Sequence, residues 1–144
     1  MKKLQRLQWK DQYSVGFDEL DSQHRKLIET INKAMDFYED PSASVMDVFI
    51  QLSDYLGNHF MAEENIMAAM RYPALQAHGA NHKDFNKKFM ELLNAYENGD
   101  EKLALKLLLF LRDWFLNHVV TNDDPGYAQY YKRLQEKAAQ GKAP

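Results

Sequence analysis

Residues 75–96, with the sequence LQAHGANHKDFNKKFMELLNAY, contain the pattern that decides the fold class. Apolar and histidine residues recur there at alternating spacings of three and four: Leu75, His78, His82, Phe85, Phe89, Leu92 and Tyr96. This spacing places all seven side chains on one face of a helix. We therefore predict an amphipathic helix whose inward face carries two histidines.

Three further stretches have the same helical periodicity. The first begins near Asp18 and presents Leu20, His24, Leu27, Ile28, Ile31 and Met35. The second presents Phe49, Leu52, Leu56, His59, Glu63, Met67 and Met70. The last presents Leu103, Leu107, Phe110 or Leu111, Trp114 and His118. Most prolines and glycines fall between these stretches, which predicts long helices joined by short turns.

Four amphipathic helices with short connections predict an all-α fold, an up-down-up-down four-helix bundle. We expect one domain over residues 1–144, because no repeat or linker divides the chain. Within it we predict an N-terminal arm at 1–17, the bundle at 18–123, and a short C-terminal helix with a tail at 124–144.

The composition excludes several classes of function. The 144 residues carry a formal net charge of -3, which gives no electrostatic reason to bind nucleic acid or an anionic membrane. The chain has no cysteine, so thiolate metal sites and disulfides are excluded. No secretory signal and no membrane span are evident, and we expect a cytoplasmic protein.

The five histidines all fall on the inward stripes or at the end of one. His78 and His82 lie one helical turn apart, where both imidazoles can reach one metal ion. The same spacing relates His59 to Glu63, which places a carboxylate among apolar residues at a cost of several kcal/mol unless it is paired or coordinated. The inward stripes offer no Lys or Arg as a partner, so we favour metal coordination over a core ion pair. Adjacent Glu64 turns outward and is predicted to be a surface charge.

The acidic partner of His118 is less well defined. Asp123 follows His118 by five residues, and in a straight α-helix the two would point about 140° apart. The sequence Asp123-Asp124-Pro125-Gly126 supplies a break in the helix that could bring a carboxylate back to His118.

The chain resembles the hemerythrins, specifically the single-domain bacterial hemerythrins, over nearly its whole length. The matching features are Trp9 with residues 14–18, the segment 20–24, residues 59–64, the His78/His82 pair, and Trp114 followed by His118-x-x-x-x-Asp123. The count of residues between His118 and Asp123 favours Asp123 as the family's bridging aspartate. The tyrosine common three residues after that aspartate is Tyr127, which instead lies three after Asp124.

The resemblance implies a non-haem di-iron centre with an oxo or hydroxo bridge that binds O2 reversibly. His78, His82 and His118 would hold one iron, His24 and His59 would hold the second, and Glu63 and Asp123 would bridge them. The second iron would keep an open position for O2. Candidate residues for the walls of an O2 pocket, each within one turn of a ligand, are Leu27, Phe60, Trp114, Phe115 and Val119.

The function expected from this resemblance is O2 binding, for storage, transport or delivery, rather than enzymatic catalysis. Sensing or scavenging of O2 or NO is an alternative, and a di-iron oxidase is a further one. Such oxidases use Glu-x-x-His motifs, which this chain lacks, in place of histidine-rich pairs. We expect a monomer, and the sequence does not identify a protein partner.

Overall fold

The computed structural model describes residues 5–40, 42–43, 45–121 and 123–141, with the side chain of Asp123 left out. A short 3₁₀ helix at Asp11–Tyr13 precedes α1 at Asp18–Glu39. Helix α2 covers residues 46–69, α3 is Leu75–Glu97, α4 covers residues 103–121, and α5 is Asp123–Ala139. The predicted all-α class is confirmed, and the final helix begins at Asp123.

Two of the helices change their hydrogen-bonding pattern part-way. Helix α2 consists of Met46–Asp54, a π-helical segment Tyr55–His59, and Phe60–Ala69. Helix α4 consists of Leu103–Asp113 followed by the π-helical segment Trp114–Thr121. A π-helical turn bonds residue i to i+5, so it holds more residues than an α-helical turn and rotates the face that follows. Regular helical periodicity could not predict these segments.

The first four helices close into the predicted four-helix bundle. Helix α1 packs against α2 and α4, and α3 packs against the same two helices from the other side. Among the described residues, no helix has both the length and the apolar character needed to cross a bilayer.

The apolar core consists of two clusters. The larger one fills most of the bundle and includes Leu27, Phe60 and Leu107. The smaller one, Val15, Leu20, Met67 and Tyr127, joins the arm and α5 to the bundle. Along α1, Leu20 belongs to the smaller cluster and Leu27 to the larger one, so His24 lies between the two. Glu63 lies between Phe60 and Met67 on α2 in the same way. The polar inward residues therefore occupy a layer between two apolar regions.

The N-terminal arm runs antiparallel to α1. The backbone N–H of Leu7 donates to Asn32 Oδ1 at 2.8 Å, and Asn32 Nδ2 donates to the Leu7 carbonyl at 3.0 Å. Further along, Val15 N–H donates to Asp21 Oδ1 at 2.9 Å, and Ser14 Oγ donates to Asp21 Oδ2 at 2.5 Å. These bonds fix the arm along α1, from Asp21 in its first turn to Asn32 near its middle.

The core position of Leu107 gives a test of this packing. Leu107 has no exposed surface, whereas Leu109 on the same helix is 52% exposed. We expect Leu107→Ala to lower the free energy of unfolding by about 2–5 kcal/mol, because it removes buried methylenes and leaves a cavity. Leu109→Ala should cost less than about 1 kcal/mol. Urea denaturation followed by circular dichroism measures both, and equal losses would contradict the assignment of inward faces.

Candidate metal centre

Seven titratable side chains meet in the layer between the two apolar clusters. They come from all four bundle helices and the start of α5: His24, His59, Glu63, His78, His82, His118 and Asp124. Each is between 0% and 4% exposed. The structure therefore brings together all five histidines and one predicted carboxylate, Glu63, with Asp124 as the second carboxylate.

The seven side chains form two groups that share Glu63. Glu63, His78, His82 and His118 make the first, and His24, His59, Glu63 and Asp124 make the second. Within each group the candidate ligand atoms lie within 4.8 Å of one another. Each group has the number and type of donors that hold a metal ion, with three imidazoles in one and two in the other.

Glu63 reaches both groups from the middle of the cluster. Its Oε1 lies 3.1 Å from His82 Nε2 and 3.3 Å from His59 Nε2. Its Oε2 lies 3.8 Å from His24 Nε2 and accepts a hydrogen bond of 2.6 Å from the Tyr127 hydroxyl. One carboxylate thus faces imidazoles of both groups, with a buried phenol fixing its second oxygen.

Asp124 spans the two groups in the same manner. Its Oδ1 lies 3.2 Å from His78 Nε2 and 3.3 Å from His118 Nε2, both in the three-histidine group. Its Oδ2 lies 3.1 Å from His24 Nε2 in the other group. The two oxygens of this carboxylate therefore point to different groups.

We predicted Asp123 as the second carboxylate from the residue count of the family resemblance, and the structure places Asp124 in the cluster. The π-helical segment Trp114–Thr121 ends and α5 begins between His118 and Asp124. Regular helical spacing therefore does not relate these two side chains. The side chain of Asp123 lies outside the described residues. The sequence signal for Asp124 was Tyr127, three residues further on.

Burial and neighbouring charges shift the pKa values of the cluster residues in different directions. Burial and the negative charge of Glu63 raise the pKa of Asp124. Burial also raises the pKa of Glu63, but the charge of His59 and the close imidazoles of His78 and His82 outweigh it and hold that pKa well below its usual range. Burial lowers the pKa of His118 to about 2. A buried cluster of this kind is stabilised when cations occupy it.

Several buried atoms of the cluster lack hydrogen-bond partners among the described residues. Both carboxylate oxygens of Asp124 and the Nε2 atoms of His24, His59 and His78 are in this state. An unsatisfied buried polar atom is costly, and native proteins rarely contain several together. Nitrogen and oxygen donors that converge without partners are the atoms expected to bind metal, so the donor set fits a pair of ions such as iron.

Residues around the cluster orient its imidazoles. Gln23 Oε1 accepts a hydrogen bond of 2.5 Å from His59 Nδ1, which leaves Nε2 of that ring directed at Glu63. Glu64 Oε2 lies 3.5 Å from His82 Nδ1, although the side chain of Glu64 is 44% exposed. A partner on the outer nitrogen fixes the tautomer and orientation of a metal-binding histidine. Nothing in the sequence pattern indicated this role for Gln23, and Glu64 was predicted to be a surface charge without this contact.

Two aromatic rings predicted as pocket walls lie flat on imidazoles of the three-histidine group. Phe60 stacks on His82 with a centroid distance of 3.9 Å, and Trp114 stacks on His118 at 3.8 Å. The other predicted wall residues, Leu27, Phe115 and Val119, are each 1% exposed and belong to the larger apolar cluster.

Comparison with known proteins identifies a family with this kind of site. A family model described as the hemerythrin HHE cation binding domain matches residues 15–125. The bacteriohemerythrin of Clostridium acetobutylicum is 34% identical over 80% of this chain and 94% of its own length. That of Stenotrophomonas maltophilia is 32% identical over 88% of this chain and 82% of its own. A hemerythrin-like protein of Naegleria gruberi is 28% identical over 80% and 86%.

The two neighbouring aspartates give a direct test of the cluster. Asp124→Asn should reduce the metal content of the purified protein and weaken metal binding at least tenfold, because it removes a charged donor that faces both groups. Asp123→Asn is the matched control and should change the affinity less than about twofold. Metal analysis together with competition against a chelator measures both variants. If Asp123→Asn weakened metal binding more than Asp124→Asn, Asp123 would be the metal ligand.

Proposed function

Because the chain belongs to the hemerythrin family, whose domain model covers residues 15–125, we propose that it binds O2 reversibly at a non-haem di-iron centre. The observation that carries the proposal is the pair of donor groups sharing a buried carboxylate. Storage, transport or delivery of O2 to oxygen-requiring enzymes is the role we assign to it. Relatives from two bacteria are named bacteriohemerythrin, in agreement with O2 binding as the general function.

The ligand assignment follows the two groups. His78, His82 and His118 would hold one iron and His24 and His59 the other, with Glu63 and Asp124 shared between them. When bound, the iron pair with its oxo or hydroxo bridge supplies the electrons that make O2 binding strong and reversible. The two-histidine group offers one imidazole fewer than its neighbour. An iron held by His24 and His59 would therefore be the one with a position open to O2.

The protein contributes fixed ligand geometry. The Tyr127 hydroxyl, on a side chain with no exposed surface, holds one Glu63 oxygen at 2.6 Å. Burial, with the charges of the two nearby carboxylates, raises the pKa of Tyr127 well above its ordinary value, which keeps the phenol protonated and able to donate. Phe60 and Trp114 restrict rotation of His82 and His118 through their stacked rings. These stacking contacts therefore hold two of the three imidazoles of this group in place.

The protein also keeps water and anions from the open position. Leu27 lies less than one turn from His24, and Phe115 and Val119 lie close to His118 on α4. All three belong to the larger apolar cluster and are almost fully buried. Apolar walls at this place slow the access of water and of competing anions, and this supports reversible binding over oxidation.

The histidine-rich donor set favours O2 binding over an oxidase. Five imidazoles and two carboxylates carry less negative charge than the carboxylate-rich centres of di-iron oxidases, so they stabilise high-valent iron less.

Iron analysis and absorption spectra test the proposal. We expect two irons per chain and an absorption change that appears with O2 and reverses when O2 is removed. Glu63→Gln should lower the iron content, because it removes the charge shared by both donor groups. Glu64→Gln is the matched control and should retain two irons, because the Gln side-chain oxygen can still accept a hydrogen bond from His82 Nδ1. A single iron per chain, or zinc that iron cannot displace, would contradict a di-iron centre.

Leu27→Ala and Phe115→Ala test the apolar walls. Both variants should keep two irons, because neither residue is a ligand, and should convert from the oxygenated to the di-ferric form several-fold faster than the wild type. Truncation can also cost about 2–5 kcal/mol of stability, so unfolding curves must accompany the rates. Unchanged conversion in folded variants of both residues would place the O2 pocket elsewhere in the bundle.

A further inference from the structure

A cavity of about 600 Å³ opens between α1 and α2 and reaches His59. Glu19, Lys26 and Glu29 line it from α1, and Asp54 lines it from α2. We call it the α1–α2 cavity. Of the two-histidine group, His59 is part of its lining.

The charged walls of the α1–α2 cavity carry three carboxylates and one amine. Within the described residues, Glu19, Glu29 and Asp54 have no ion-pair partner, and all three are exposed. An opening lined with charges of one sign raises the local concentration of counter-ions and the rate at which they arrive. The excess of negative charge therefore favours cations over anions.

The buried imidazole of His59 lines the α1–α2 cavity and has a nitrogen that can bind a cation. His59 is 1% exposed, and its Nε2 has no hydrogen-bond partner among the described residues. Its Nδ1 donates to Gln23, which also lines the cavity. This bond leaves Nε2 as the atom with a lone pair, 3.3 Å from Glu63 Oε1. His59 thus connects the cavity to the cluster.

A second cavity, which also reaches the cluster, does not have this excess of negative charge. The α3–α4 cavity, of about 560 Å³, reaches His118. Asp84 and Asp113 line it together with Lys88 and Lys106, so its formal charges balance. Of these two cavities, only the α1–α2 cavity has an excess of negative charge that attracts cations.

We propose that divalent iron passes through the α1–α2 cavity to reach the ligand cluster of the metal-free protein. The carboxylates at its mouth attract the ion, and His59 is the first cluster residue to bind it. The same charges disfavour small anions at the open position beside His24 and His59. This inference rests on the proposed di-iron centre and adds a role for residues that are not ligands.

The test measures the rate of metal uptake. Metal-free protein is mixed with Co²⁺, whose absorption bands report binding without oxidation. We expect the double variant Glu19→Gln/Asp54→Asn to bind Co²⁺ about tenfold more slowly at low ionic strength. The difference should shrink at high salt, because screening shortens the reach of the charges. The final metal content should equal that of the wild type, and Lys26→Gln should accelerate uptake.

The matched control is Asp84→Asn/Asp113→Asn, which changes the net charge equally at the α3–α4 cavity. It should leave the uptake rate within about twofold of the wild type. Equal slowing in both double variants, or no slowing in Glu19→Gln/Asp54→Asn, would overturn the proposed route. Those outcomes, with normal final metal content, leave the di-iron centre intact. Wild-type protein that binds no metal at all would overturn both proposals.

Discussion

A carboxylate with no exposed surface in the middle of a helical bundle is the constraint on which the rest of this structure depends. Glu63 cannot be buried among apolar residues at acceptable cost unless other groups surround it. The surrounding groups are imidazoles from α1, α2 and α3 and the hydroxyl of Tyr127 from α5. Helices α1, α2, α3 and α5 are therefore tied to one central position, which fixes how they can rotate and slide against one another.

The cost of this polar layer explains its position between two apolar clusters. The larger cluster contains most of the buried apolar residues of the bundle, and the smaller one lies at the end where the arm and α5 meet. Apolar side chains therefore flank the layer at both ends. The same arrangement strengthens electrostatic interactions within the cluster and leaves its donor atoms dependent on a bound cation.

The two halves of the cluster have different surroundings. Phe60 and Trp114 stack on imidazoles of the three-histidine group, and Tyr55 stacks on His59 of the two-histidine group. The two-histidine group also adjoins Leu27, Gln23 and the α1–α2 cavity, whereas the α3–α4 cavity reaches His118 of the three-histidine group. A half with three imidazoles and a half with two suit a centre at which one metal is held by more protein donors and the other exchanges small molecules.

Much of this organisation was determined by the sequence. The spacings of three and four predicted the helices and placed His24, His59, His78, His82 and His118 inward, because helical geometry is local and regular. The same reasoning identified Glu63, since a carboxylate in an apolar stripe requires partners. Tertiary structure decided what regular periodicity could not. The chain leaves the π-helical segment around His118 and enters a new helix at Asp123, and the structure places Asp124 in the cluster, where the residue count of the family resemblance had predicted Asp123. The contacts of Gln23 and Glu64 with imidazoles join different helices, and such contacts depend on how the helices pack rather than on the pattern within any one of them.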